Sequence, residues 1–94
     1  MSALEPEAIE TALATLPGWV FDGERIRKEF TFPSFMEAVS FINRIATVAE
    51  EADHHPDLAN HYRTVIVSFR SWDANGVTDR DMRMAAKVEA ASAA

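Results

Sequence analysis

The chain contains no cysteine, which excludes a disulfide framework, a thiolate metal site and a cysteine nucleophile. Glycine is almost as scarce, with three in 94 residues, too few for a Gly-rich loop that cradles phosphates. Positive charge is also short: nine Lys and Arg against fifteen Asp and Glu leave a net charge of −6 and an isoelectric point near 4.9. That balance argues against a nucleic-acid or anionic-membrane binder, because both need a basic face to displace counterions. No apolar run approaches the ~20 residues of a membrane span. The start, Met1-Ser2-Ala3-Leu4-Glu5-Pro6, lacks the basic patch and apolar stretch of a signal peptide. The expectation is a soluble cytoplasmic protein.

The hydrophobic fraction of 48% includes sixteen alanines, so the supply of large apolar side chains is modest. A chain this short buries roughly 60–65% of its unfolded surface. One domain over residues 1–94 with one core is expected, and oligomerisation would help it.

Ile9, Ala12, Leu13 and Leu16 have helical spacing between Glu5 and Leu16, with Pro6 in the first turn and Pro17-Gly18 as the stop. Asp22-Gly23 lies between Trp19-Val20-Phe21 and the stretch Arg25 to Phe32, a hairpin signal. Ile26, Phe30 and Phe32 share one face of the second arm, which Lys28 interrupts. Ser34 and Glu37 have capping-box spacing at the head of the longest helix, which reaches Ala52. Its apolar positions cover about half the circumference at ~100° per residue. One edge suits a sheet, and the part around Phe41, Ile45 and Val48 is expected to meet another subunit. The alternative is that the first and last helices cover it.

Pro56 ends this helix after Asp53-His54-His55. A long strand is expected from His61 to Trp72, where Val65, Val67 and Phe69 alternate with polar or smaller neighbours. A short extra strand near Asp57 to Asn60 is compatible with the pattern. Asn75-Gly76 is a turn, and Thr78 with Asp81 caps a final helix from Asp79 to about Ala91. The order of elements points to an α+β domain with an antiparallel sheet covered by helices.

All three histidines fall between positions 54 and 61, beside Glu50, Asp53 and Asp57. Glu50 and His54 are four apart, one helical turn, so the carboxylate can orient the imidazole. A histidine so placed can give and take a proton near neutral pH. The plain alternative is an exposed histidine at a helix end. Adjacent histidines point in different directions and lack helical metal-ligand spacing, so no metal is expected. Asp81 shares a stripe with Met84, Ala85 and Val88, and its simplest duty is the capping box. Trp72 is either core or, at a strand end beside Ser71 and Asp73, a stacking surface for a flat ligand. Arg25, Arg27, Lys28, Arg44 and Arg63 read as a solvated surface.

Glu50, three residues, His54-His55-Pro56, then Tyr62, Trp72 and Asp81 resemble the signature of the pterin-4a-carbinolamine dehydratase family. Gly18-Trp19, Phe30-Thr31-Phe32, Phe35, Ala38-Val39-Ser40-Phe41 and Gly76-Val77-Thr78 extend the likeness across Leu16 to Val88. The resemblance implies a four-stranded antiparallel sheet with helices on one face. It also implies dimers or tetramers formed through the sheet edge and the helix over 34–52. Its activity is dehydration of a 4a-hydroxytetrahydropterin to the quinonoid dihydropterin, with no cofactor, in recycling tetrahydrobiopterin for an aromatic amino-acid hydroxylase.

Carried over, His54 is the principal acid/base, His55 the second titrating or pterin-holding group, and Glu50 orients His54. Asp53 and Pro56 help to bind the pterin, with Ser71, Trp72 and Asp73 as the opposite wall, while Tyr62 and Asp81 support the site. Many family members have a third histidine where this chain has Trp72. An indole N–H donates a hydrogen bond but exchanges no proton near neutral pH, so a lower rate is expected. The alternative is a non-catalytic dimerisation, assembly or transcriptional-cofactor module on the same scaffold.

Overall fold

A computed structural model of the chain describes residues 2–93. Pro6 sits in the first turn of α1 (Pro6–Leu13), where its missing N–H has no helical partner to lose. The chain then forms β1 (Val20–Phe21) and β2 (Ile26–Thr31). Asp22 closes their turn by accepting from the N–H groups of Glu24 and Arg25, with Gly23 at φ +99 where only glycine is unstrained. α2 (Phe35–Ala52) follows, capped by Ser34, whose hydroxyl accepts from the Glu37 N–H at 3.1 Å. The chain continues through β3 (Asp57–His61), β4 (Thr64–Phe69), the single 3₁₀ turn Trp72–Ala74 and α3 (Asp79–Ser92).

The four strands make one antiparallel sheet in the order β1-β2-β4-β3. The short extra strand near Asp57 to Asn60 is present as β3, and the long strand expected from His61 to Trp72 is confined to Thr64–Phe69, because the chain turns at Tyr62-Arg63 and β3 pairs back onto β4. Asn60 braces that turn by donating to the carbonyls of Tyr62 and Thr64, which supports Tyr62 at φ 55. Register puts Ile26 opposite Phe69, Lys28 opposite Val67 and Phe30 opposite Val65, so one face carries the core. Helices α2 and α3 pack on that face. Lys28 interrupts it without cost in unpaired charge, because its ammonium bonds the Pro17 carbonyl and pairs with Glu89 of α3. Glu89 also accepts from the Trp19 indole at 2.8 Å.

The half-circumference apolar face of α2 resolves into a narrow stripe. Ala38, Phe41, Ile45 and Ala49 are buried within this one chain, and Phe30 and Phe32 flank the Phe41 ring, each with its centroid 4.8 Å away. Phe41 and Ile45 therefore need no second subunit to cover them. The sheet and α3 cover them, and Val48 packs partly buried against the same core. The large apolar side chains that α2 leaves exposed are in its first turn, Phe35 and Met36.

Candidate functional site

The end of α2 decides where the histidines go. Asp53 caps it in the left-handed conformation (φ 50), one of the few non-glycine types that tolerates this. The His54 N–H bonds the Ala49 carbonyl at 3.1 Å and the Asp53 N–H bonds that of Glu50 at 3.3 Å, the pair of bonds of a Schellman cap. The left-handed residue turns the chain off the helical path before His54. Helical spacing from Glu50 therefore does not hold, and Glu50 does not orient His54. It pairs instead with His55 Nε2, at the surface, where the side chains are 76% and 55% exposed respectively.

His54 turns inward. Its side chain is 12% exposed, its ring stacks on Phe69 (centroids 5.9 Å, planes 15° apart), and Nε2 lies 2.6 Å from Asp81 Oδ1. Asp81 is completely buried and serves two roles at once. Its Oδ2 accepts the Thr78 N–H at 2.8 Å, completing the capping box of α3, and the Ser71 hydroxyl at 2.9 Å. Ser71 gives its only proton to Asp81, so the 2.8 Å contact between Ser71 and Thr78 hydroxyls is donated by Thr78. An ionised carboxylate only accepts. Neutral His54 thus carries its proton on Nε2 and keeps a lone pair on Nδ1.

Ser71 is correspondingly not a wall of an open site, as expected, but a buried strut beneath it. Its backbone makes a bridge with Gly76, Ser71 N–H to Gly76 carbonyl at 2.9 Å and Gly76 N–H to Ser71 carbonyl at 3.2 Å. This closes a loop that lifts Trp72 outward, 66% exposed. Tyr62 is also misplaced by the sequence reading. It lies at the far end of β3 from the histidines, exposed and stacked on Phe35, and supports nothing in the site. His61 closes β3 at the surface.

Asp53, His54, His55, Pro56, Trp72 and Asp73 line one cleft of about 410 Å³, together with Asp57 and Arg70. Arg70 is the side chain the sequence reading missed. It lies 4.8 Å over the Trp72 ring, donates to the Glu24 carbonyl at 3.0 Å, and bonds Asn75. It thereby ties the β1–β2 turn to the loop that carries the indole. Arg25, expected on a solvated surface, lies 5.4 Å from the centroid of the same ring while pairing with Asp57. The available signal was an arginine two positions before a tryptophan at a strand end. Asp73 pairs with Arg80, whose hydrogen bond holds the Asp73 carboxyl below the ordinary carboxylate range. Asp73 in turn raises the Arg80 guanidinium. Among the described residues, no group of three or more His, Asp or Glu is placed to hold a metal ion. No described helix is long and apolar enough to cross a membrane.

The four-stranded antiparallel sheet with helices on one face has counterparts among solved structures. A transcriptional coactivator/pterin dehydratase from Brucella melitensis superposes with a TM-score of 0.91, at 38% identity over 97% of this chain and 99% of that one. A pterin dehydratase-like RuBisCO assembly factor of the alpha-carboxysome shares the fold, with a TM-score of 0.71 at 21% identity over 82% and 92% of the two chains. The chain belongs to the pterin-4-alpha-carbinolamine dehydratase family, whose profile matches residues 2–91. A Nitrobacter winogradskyi protein that provisionally carries that name is 51% identical, over 89% of this chain and 85% of its own. One from Chromobacterium violaceum, named in the same provisional way, is 39% identical over 95% and 82%.

Proposed function

We propose that this chain, acting as one domain over residues 1–94, dehydrates a 4a-hydroxytetrahydropterin to the quinonoid dihydropterin and water. The observation that carries the reading is the buried His54–Asp81 pair on the wall of the 410 Å³ cleft. In the reaction the C4a–O bond breaks, a proton goes to the departing oxygen, and N5 gives up its proton as the C4a=N5 double bond forms. No net proton is consumed, so one group must give and one must take. His54, with its tautomer set by Asp81, is the principal acid/base, and His55 the second titrating or pterin-holding group. The flat ring would lie against Trp72, held from behind by Arg70, with Asp53, Pro56 and Asp73 at its rim. The reaction would recycle tetrahydrobiopterin for an aromatic amino-acid hydroxylase in the cytoplasm, with the protein a homodimer or homotetramer built on the sheet edge and the exposed first turn of α2, Phe35 and Met36.

The second reading is a binding module without turnover, favoured by Trp72, which cannot exchange a proton where many relatives have a third histidine. The same fold occurs in a pterin dehydratase-like RuBisCO assembly factor. The test is the ultraviolet decay of freshly generated 4a-hydroxytetrahydropterin with wild type, His54→Ala and Trp72→His. Acceleration that collapses in His54→Ala supports the enzyme. Pterin binding with a decay equal to buffer, unrestored by Trp72→His, would replace it with the binding module.

A further inference from the structure

Trp72 is exposed at the head of a single 3₁₀ turn, so packing against the core does not fix its ring. Two guanidiniums lie against it, and both are tied to the β1–β2 turn. Arg25, just before β2, lies 5.4 Å from the indole centroid and pairs with Asp57 at the start of β3. Arg70 lies 4.8 Å over the ring and donates to the Glu24 carbonyl of that turn at 3.0 Å. Its Nη2 also bonds Asn75, whose own N–H bonds the Trp72 carbonyl at 3.2 Å. The turn is itself held: Asp22 Oδ1 accepts the Arg25 and Glu24 N–H groups at 2.8 and 2.9 Å. Those two bonds keep its carboxyl below the ordinary carboxylate range.

The turn therefore reaches both sides of the cleft. Asp57 follows His54-His55-Pro56 directly, and Trp72 and Asn75 belong to the loop after β4. None of these links does much for folding. The Arg25–Asp57 pair is at the surface, a class of contact that contributes little. The bonds of Arg70 are at the surface too, and its Nε is buried without a partner, which offsets them. What the two side chains do supply is order at one exposed ring.

We propose that Arg25 and Arg70 are positioning residues for the dehydratase reaction, clamping the Trp72 indole to the β1–β2 turn so that the pterin meets a preformed wall. The inference rests on the dehydratase reading, and neither arginine moves a proton in it. An indole already ordered loses less freedom when the pterin binds. That advantage is equal in the ground state and the transition state, so it shows in KM and not in kcat.

The test uses Arg25→Met/Arg70→Met, Trp72→Ala and the triple variant. In the ligand-free protein, the nitrogen-15 heteronuclear NOE of the Trp72 indole should fall in the double variant to that of a mobile side chain. The Trp19 indole, bonded to Glu89, is the internal control and should keep its value. In the carbinolamine decay the double variant should raise KM about two- to tenfold and move kcat by less than about twofold. In the Trp72→Ala background the same two substitutions should leave KM where it was, because no ring remains to be held. A circular dichroism melt checks the fold, and Arg25→Met alone, which breaks only a surface pair, gives the same readings in smaller measure if the double variant melts early. An unchanged Trp72 NOE overturns the clamp whatever the pterin data. So does a KM effect that persists in full without Trp72, or a fall in kcat at constant KM. A wild type without turnover overturns the dehydratase reading and, with it, this role of the two arginines; the NOE tells the two failures apart, because it needs no pterin.

Discussion

Asp81→Asn separates the chemical role of the buried carboxylate from its structural one. In the wild-type protein Oδ2 accepts two protein donors, the Thr78 N–H and the Ser71 hydroxyl, while Oδ1 faces His54 Nε2 at 2.6 Å. An asparagine keeps its oxygen where two donors converge and turns its amide toward His54. That amide donates, so Nε2 must accept and the imidazole proton moves to Nδ1. The nitrogen that carried the lone pair then carries a hydrogen, and His54 can no longer take a proton in the same geometry. General acid–base catalysis is worth about 10²–10⁴ in rate, so the turnover rate should fall at least about a hundredfold. The structural cost is smaller. Replacing charge-assisted bonds by neutral ones at a fully buried carboxylate costs about 2 kcal/mol. For a domain of this size that is roughly an 8–16 °C drop in melting temperature. Asp81→Ala removes every acceptor at once and costs roughly 4–6 kcal/mol, comparable to the whole stability of a small domain, so the asparagine variant is the informative one. Nitrogen-15 chemical shifts of His54 report the tautomer, and the carbinolamine decay reports the rate. An Asp81→Asn protein that keeps the Nε2–H tautomer, or changes it and turns over like wild type, would refute the reasoning.

Three further outcomes follow from the same geometry. Glu50→Gln breaks an exposed pair with His55, so the unfolding free energy should change by less than ~1 kcal/mol; a guanidinium titration showing a loss as large as that of Asp81→Asn would put the relay at the wrong histidine. Phe41→Ala should cost about 3–5 kcal/mol, and because the ring is buried within one chain the melting shift should not vary with protein concentration; a strongly concentration-dependent shift would restore the interface reading of that face. Asp73 has a depressed folded-state pKa, so the contribution of its pair with Arg80 is complete above the ordinary carboxylate range and fades only as pH falls through the lowered value. Arg80→Gln should move the Asp73 carboxyl upward in a carbon-13 NMR titration, and an unmoved curve would remove Arg80 as the cause.

The elements were largely legible in the chain itself because their signals are local. Pro6, Asp22-Gly23, Ser34 with Glu37, Asn75-Gly76 and Thr78 with Asp81 each bias a few neighbouring backbone angles, and the alternation of Val65, Val67 and Phe69 needs no knowledge of the partner strand. The clustering of His54, His55, Asp53 and Asp73 around one cleft was legible as well, through the spacing of the family signature. Partner choice was not, because it depends on where the chain turns between elements. One left-handed residue, Asp53, takes His54 off the helical face and gives Glu50 to His55. It delivers His54 to Asp81, 27 positions away on another helix. The same carboxylate that caps α3 locally becomes the histidine's partner only when α3 folds back over the end of the sheet. Arg70 and Arg25 flank Trp72 for a related reason: one lies just beyond β4, the other in the β1–β2 turn, and strand pairing alone brings them to one ring. Sequence determined which segments fold and which polar and titratable residues the His54 segment brings to the cleft; the packing of distant elements decided which of those residues meet one another.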